Sequence, residues 1–183
     1  MLVITVLDRD GKEKKRVVLE DTGTWWFARL FAALLNYTPK GQTETAEVKA
    51  EDLSTISITV KSPDGTKLFN NTTNYDSGCI IAIGDAKQYT KRDMCLLLHE
   101  IARAPASAEY IQEEGIVSLK ATFSFSSNAI IAETGLFFID GQTGKAVMLD
   151  RTYLGEFSEK NIIEVTAGEK VIIEYRLYSQ FIV

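Results

Sequence analysis

The sequence predicts a mainly β protein built as an antiparallel β-sandwich, with one or two short α-helices. Three observations support this prediction. Apolar and polar residues alternate strictly over residues 117–125, which is typical of a strand with one face on a core and one face in water. Short apolar runs recur along the chain, with turn sequences such as Asp140-Gly141 and Ala167-Gly168 between them. Only two segments show helical spacing.

A chain of 183 residues is long enough to bury a large core without disulfides or metal. We therefore expect residues 1–183 to form a single β-sandwich domain of jelly-roll or immunoglobulin-like type. Residues 1–20 predict an N-terminal β-hairpin, because two β-branched runs flank the turn sequence that begins at Asp8. A solvated turn is favoured there over a calcium loop, since no EF-hand spacing follows Asp8.

The middle of the chain predicts two further strands. Apolar residues alternate with Ser and Thr over residues 56–60, and a turn sequence follows at residues 62–65. Residues 66–69 are the expected partner of that strand. Residues 79–83 predict a buried strand that ends at Gly84.

Residues 22–37 are expected to contain an apolar helix in which Arg29 is the only charged residue. Thr22 or Thr24 is placed to cap it. A helix with so little polar surface must be buried on most sides. Two interpretations follow. In the first the helix lies across a sheet as part of the core, and in the second part of its surface contacts another subunit. In the second interpretation the interface residues are Trp25, Trp26, Phe27 and Phe31, since Trp is enriched at interface hot spots.

Two segments are harder to assign. Residues 38–54 are polar and mixed, which favours a loop. Residues 90–102 show helical spacing, with Thr90 and Asp93 at the spacing of a capping box. The apolar face of that helix would comprise Met94, Cys95, Leu97, Leu98, Ile101 and Ala102. The later part of this segment is equally compatible with an extended chain.

The C-terminal third completes the sandwich. Residues 130–139 predict a second, more continuously apolar strand after the one at 117–125, and a turn at 140–144 leads into a return strand at 147–149. Ile163 and Val165 precede another turn. Residues 171–177 alternate again and predict the last strand.

Composition excludes several classes of protein. Lys and Arg number 20 and Asp and Glu 25, and a net charge of −5 argues against nucleic-acid binding. No apolar run approaches the length of a transmembrane helix, and no signal peptide is visible, so we expect synthesis in the cytoplasm and no membrane partner. Cys79 and Cys95 are expected to be small buried side chains rather than a disulfide.

The sequence does not predict an enzyme. His99 is the only histidine, and its only nearby nucleophile is Cys95, four residues earlier. Arg103 stands where an HExxH zinc motif would need its second histidine. Two cysteines and one histidine do not fit a familiar zinc site, and no glycine-rich phosphate loop is present. We therefore expect no catalytic residue, no metal and no cofactor.

Glu133 lies inside a run in which every neighbour suggests burial. A buried carboxylate requires a partner, and Arg151 and Arg103 are the candidates. The pair would fix the register of the strands. The other interpretation is a carboxylic acid with a functional, shifted pKa.

Residues 78–180 resemble a widespread group of virion structural proteins of tailed bacteriophages and related archaeal viruses. The matching features follow the same order along the chain. They are the strand ending at Gly84, residues 90–93, the Leu97-to-Arg103 element, the alternating strand at 117–125, Glu133-Thr134-Gly135-Leu136-Phe137, Arg151-Thr152-Tyr153 and the closing strand at 171–178. The Glu-x-Gly-Leu-Phe string is the most specific of them.

The resemblance implies a repeated, homo-oligomeric subunit of a capsid, tail or baseplate, in contact with other virion proteins and without enzymatic turnover. Its location would be the virion, after synthesis in the host cytoplasm. One alternative is a non-catalytic β-sandwich binding module for a carbohydrate or receptor, which would cluster exposed aromatic residues on a sheet face or loop rim. A hydrolase on a β scaffold would instead gather carboxylates in a deep cleft.

Overall fold

The computed structural model describes residues 1–20, 24–35, 42–62, 65–66, 78–91 and 93–178, and the structural statements below refer to these residues. They form two large antiparallel sheets, two smaller ones and one α-helix. The first sheet has the order β2 (Glu13–Leu19), β1 (Leu2–Leu7), β14 (Lys170–Tyr178), β9 (Ile116–Ser124) and β8 (Ser107–Ile111). The second has the order β12 (Ala146–Tyr153), β11 (Glu133–Ile139), β6 (Gly78–Gly84) and β7 (Glu100–Pro105).

The smaller sheets are β3 (Glu44–Lys49), β4 (Thr55–Ser62) and β5 (Gly65–Thr66), and the pair β10 (Ala129–Ile131) and β13 (Ile163–Val165). The helix α1 spans Trp25–Leu35, and 3-10 turns lie at Leu154–Glu156 and Glu159–Asn161. The prediction of a mainly β, antiparallel, sandwich-type fold is confirmed. The predicted hairpin at residues 1–20 is β1 and β2, and its turn is closed by Asp8, whose Oδ1 accepts bonds from the backbone N–H groups of Asp10 and Lys12.

The main core lies between the two large sheets. Ile4 of β1 and Ile173 of β14 are fully buried in one cluster with Ile81 of β6 and Leu136 of β11. Each such side chain contributes about 1.5–3 kcal/mol by leaving water. Inside this core the structure describes one polar contact between β11 and β14, and it joins the two sheets. The hydroxyls of Thr134 and Tyr175 lie 2.7 Å apart, and both residues are buried.

A second core lies on the outer face of the second sheet. Successive side chains of a strand point to opposite faces, so Phe138 enters the main core while Phe137 points away from it. Phe137, Ile80 and Met148 are covered there by Leu97. This explains why residues 136–139 are apolar without alternation: both faces of β11 are buried.

The helix α1 follows β2 in the chain and begins beside β12. Thr24 donates its hydroxyl to the carbonyl oxygens of Met148 and Leu149, at 2.9 and 3.1 Å, and accepts the N–H of Phe27 at 3.3 Å as the N-cap. Leu30 is buried, and α1 packs on β3, β4 and β12. The helix predicted at residues 22–37 is described over Trp25–Leu35, and Thr24, one of the two predicted caps, is its N-cap. Thr22 and residues 36–37 lie outside the described residues.

Two predictions of local structure were wrong. Residues 38–54 are not simply a loop, because β3 pairs with β4 and buries Ala46 and Val48. The described residues between 85 and 99 are irregular, so the helix predicted at residues 90–102 does not form. The alternative of an extended later part is correct from Glu100, where β7 begins. Thr90 accepts the backbone N–H of Tyr153 at 3.1 Å instead of capping a helix.

The predicted strand at 130–139 is two strands in different sheets. The strand is interrupted at Ala132. Its N–H donates to the Gly84 carbonyl and its own carbonyl accepts the N–H of Leu154, at 2.8 Å each. The predicted partner strand at residues 66–69 is described only at Gly65–Thr66, which pairs with β4; the rest of it lies outside the described residues.

We predict that Tyr175→Phe lowers the free energy of unfolding by about 1–2 kcal/mol, because it removes the hydroxyl that Thr134 contacts inside the core. Tyr178→Phe is the matched control. Its ring is 37% exposed, so the change should stay within about 0.5 kcal/mol. Urea unfolding of both variants measures the difference, and equal midpoints would contradict the role given to the Thr134–Tyr175 contact.

Candidate functional site

The most buried charges of the described chain form one ion pair. Glu133 begins β11, Arg151 lies on the neighbouring strand β12, and both side chains are 0% exposed. Arg151 Nη2 lies 2.6 Å and Nε 2.9 Å from Glu133 Oε2. Of the two arginines considered from the sequence, Glu133 is paired with Arg151 and not with Arg103.

The pair also holds the chain that crosses the outer face of the second sheet. Arg151 Nη1 donates to the carbonyl oxygen of Gln88 at 3.2 Å. Glu133 accepts the backbone N–H of His99 at 2.9 Å through Oε1 and that of Leu98 at 3.4 Å through Oε2. A buried ion pair offsets its desolvation only when its remaining donors and acceptors are satisfied. Here Arg151 Nη1 and both Glu133 oxygens bond to the described residues between 85 and 99, an irregular stretch that we call the covering segment.

Two glycines make room for this arrangement. A Cβ on Gly84 would lie 2.6 Å from Glu133 Oε1 and 2.5 Å from the carbonyl oxygen of His99. A Cβ on Gly135 would lie 2.8 Å from the Phe137 ring and 3.0 Å from the Leu97 side chain. Each named residue of the Glu-x-Gly-Leu-Phe string therefore has a structural role. Glu133 is the buried charge, Gly135 leaves space for the covering segment, and Leu136 and Phe137 each enter one of the two cores.

Arg103 has other partners. Its Nε and Nη2 lie 2.5 and 2.6 Å from the Glu100 carboxylate, Nη2 lies 2.9 Å from Glu51, and its guanidinium sits 5.6 Å from the centre of the Phe137 ring. The hydrogen bond with Glu100 raises the pKa of Arg103 further above its ordinary value. Arg103 thus caps the edge of the second core from its exposed side.

The residues with potential for chemistry are not gathered into one site. His99 is exposed, and its Nδ1 contacts the Asp85 carboxylate, which raises the pKa of the imidazole. Cys95 is buried, and burial raises the pKa of its thiol, which disfavours the nucleophilic thiolate. Burial likewise raises the pKa of Cys79 to about 11. In the part of the chain that is described, no three His, Cys, Asp or Glu residues lie close enough to hold a metal ion.

The predicted interface residues of α1 divide into two sets. Trp26 and Phe27 are half-buried against the main core. Phe31 is 36% exposed and stacks on Phe27 with ring centres 5.9 Å apart. Trp25 begins the helix, but its side chain lies outside the described residues. Ala28 and Ala32 are also exposed.

The exposed face of α1 carries little charge. Ala28, Phe31 and Ala32 are spaced i, i+3, i+4 and share one side of the helix, which we call the α1 outer face. Arg29 does not extend into solvent as an isolated cation, since Nη1 donates to the Glu47 carbonyl at 3.0 Å and the guanidinium lies 5.9 Å from the centre of the Trp26 ring.

A buried polar network on the first sheet was not predicted. Ser118 donates to Glu174 at 2.8 Å, and Arg176 Nε lies 3.1 Å from the same carboxylate. Burial opposes ionisation of Glu174, but these hydrogen bonds outweigh it and lower its pKa. The only sign of this network in the sequence was the pair Glu174 and Arg176 at alternate positions of the last strand. Such a pair is also typical of an ordinary solvent-exposed strand face.

Comparison with protein-family models, with curated proteins and with solved structures finds no significant match. Among the described residues, α1 and the 3-10 turns are all too short to cross a lipid bilayer. Inference about function therefore starts from the surfaces and pairs described above.

We predict that Glu133→Ala lowers the free energy of unfolding by about 3–5 kcal/mol, because it leaves Arg151 buried without its counter-charge. Glu51→Ala is the control, since it breaks a half-exposed contact with Arg103 and should cost under about 1 kcal/mol. Denaturant midpoints, compared at equal m-values, measure both. A Glu133→Ala midpoint equal to that of the wild type would refute the structural role of the pair.

We predict that His99 titrates above its ordinary pKa of 6.5, because the hydrogen bond with Asp85 favours the imidazolium. A raised folded-state pKa adds stability that is fully present below the unfolded pKa and is lost as the pH rises through the folded pKa. NMR titration of the single imidazole measures this directly. Asp85→Asn should return the pKa toward 6.5, and an unchanged titration in that variant would contradict the assignment.

Proposed function

We propose that the protein is a non-enzymatic structural component of a virion, a capsid, tail or baseplate subunit that acts by self-assembly. The observation that carries this proposal is the α1 outer face. Ala28, Phe31 and Ala32 present a small, apolar, nearly uncharged helix surface to solvent. A surface helix of a monomer ordinarily places charged residues there.

The shape of this surface suits contact with another folded subunit. Two alanines leave space beside a large aromatic ring, and Phe27 supports the Phe31 ring from below. Aromatic anchors supported in this way are typical of the centre of protein interfaces. Arg29 is already bonded within the chain, so an approaching subunit need not desolvate a free cation.

The resemblance of residues 78–180 to virion structural proteins supports the more specific part of the proposal. Virion subunits act in symmetric arrays through repeated contacts between copies. The Glu133–Arg151 pair and the two glycines beside it lie in the part of the chain that carries the resemblance, and they position the segment that covers the second core.

The alternative of a binding module has one observation in its favour. Tyr89 is 66% exposed and meets Tyr153 edge to face with ring centres 5.8 Å apart, and the Tyr153 hydroxyl donates to Glu159 at 2.9 Å. An exposed aromatic ring near a carboxylate is a common element of sugar recognition. The α1 outer face places three exposed apolar residues together on one side of a helix, so self-assembly is the function we propose.

We predict that Phe31→Asp lowers the average mass of the protein in solution, with an association constant at least about tenfold weaker, and that it weakens association more than it weakens the fold. Light scattering over a concentration series measures the mass, and urea unfolding measures the stability of the fold. Phe157→Asp is the control, since Phe157 lies outside α1, is 58% exposed and should not alter association. A wild-type chain that is monomeric at every concentration, and absent from purified particles of any candidate virus, would defeat the proposal and favour the binding module.

A further inference from the structure

In the part of the chain that the structure describes, the five-stranded sheet ends in two edge strands. β2 and β8 lie at its opposite sides, and each pairs with one described neighbour. Within the described ranges, no backbone hydrogen bond joins the outward edge of either strand to another element. Such edges present a row of N–H and C=O groups that can pair with another chain.

The two edges carry opposite charge. Between residues 106 and 115, β8 and the turn after it contain three acids and no base, with Glu109, Glu113 and Glu114 all exposed. Over residues 13–16, β2 begins with three bases against one acid, which gives +2 against −3 for the β8 edge. A copy of β8 would therefore be repelled by another β8 and attracted by β2.

Several of these charged side chains already form ion pairs or hydrogen bonds within the chain. The others are available for contact with another copy. Lys14 lies 2.6 Å from Glu169, Lys15 donates to the Lys160 and Ile162 carbonyls, and Glu114 lies 3.4 Å from Arg176. The charges left without an ion pair to any other described residue are Arg16, Glu109, Glu113 and Lys12, which directly precedes β2. These four supply the charge complementarity of the edges.

We infer that β8 of one copy pairs antiparallel with β2 of the next, so that the first sheet continues from copy to copy. The acids lie in the C-terminal half of β8 and in the turn after it, while the bases lie in the N-terminal half of β2. An antiparallel arrangement brings these two halves together. The inference rests on the proposed function and identifies a second contact, in addition to the α1 outer face, by which copies would assemble.

This contact is head to tail. Four antiparallel steps separate β2 from β8 within the sheet, so the two strands run in the same direction. Antiparallel pairing between copies therefore turns each copy over relative to the last. A heterologous contact of this kind does not close on itself in a pair, so it propagates along a row of subunits or around a ring.

Charge reversal on each edge tests the inference, in a Phe31→Asp background that removes the α1 contact. We expect the background protein to associate at low salt and to dissociate as salt is raised. Glu109→Lys with Glu113→Lys should weaken association at least about tenfold, and Lys12→Glu with Arg16→Glu should do the same. All four changes in one chain should restore association.

Glu164→Lys, an exposed charge reversal on β13, is the control and should leave association unchanged. Sedimentation velocity measures the association of each variant.

The outcomes separate this inference from the proposed function. If wild type associates and the Phe31→Asp background is monomeric, edge pairing is refuted and assembly through α1 stands. If the background associates but neither edge reversal weakens it, or the fourfold variant does not recover, edge pairing is also refuted. If wild type itself is monomeric, both proposals fail.

Discussion

The buried pair of Glu133 and Arg151 is the interaction on which the rest of the second sheet depends. Neither charge would be tolerated at 0% exposure without the other, and each uses its remaining hydrogen-bonding capacity on the segment that crosses the sheet. That segment covers Phe137 and so creates a second core. One ion pair thus determines strand register, the path of an irregular segment and the burial of a second apolar face.

The sequence predicted correctly those features that depend on a single local pattern, such as the alternation of apolar and polar residues. Strict alternation predicted β9 and β14, because each has one face in the main core. The burial of Glu133 followed from its neighbours, since an unpartnered carboxylate is too costly among apolar residues. The choice between Arg151 and Arg103 depended on which strand lies beside β11, and strand order is a property of the whole fold.

The failures have a different cause. The spacing of residues 90–102 satisfies a helix as well as the observed path, but Thr90 and the N–H of His99 are bound by Tyr153 and Glu133, which are distant in sequence. Tertiary hydrogen bonds therefore overrode a local preference. Similarly, β3 looked like a loop because its exposed positions are polar or charged, and only Ala46 and Val48 form its buried face.

The distribution of covered and uncovered faces explains why assembly is the function proposed. The outer face of the second sheet is closed by the chain itself, and that of the first sheet carries the network of Ser118, Glu174 and Arg176, whose charges are already satisfied. Among the described residues, an apolar side of α1 and the two oppositely charged edges of the first sheet are not covered in this way. A helix face without charge gives affinity but little orientation, whereas edge strands specify direction through hydrogen bonds and charge. A subunit that uses both kinds of surface has the means to select its neighbour and to fix how that neighbour is oriented.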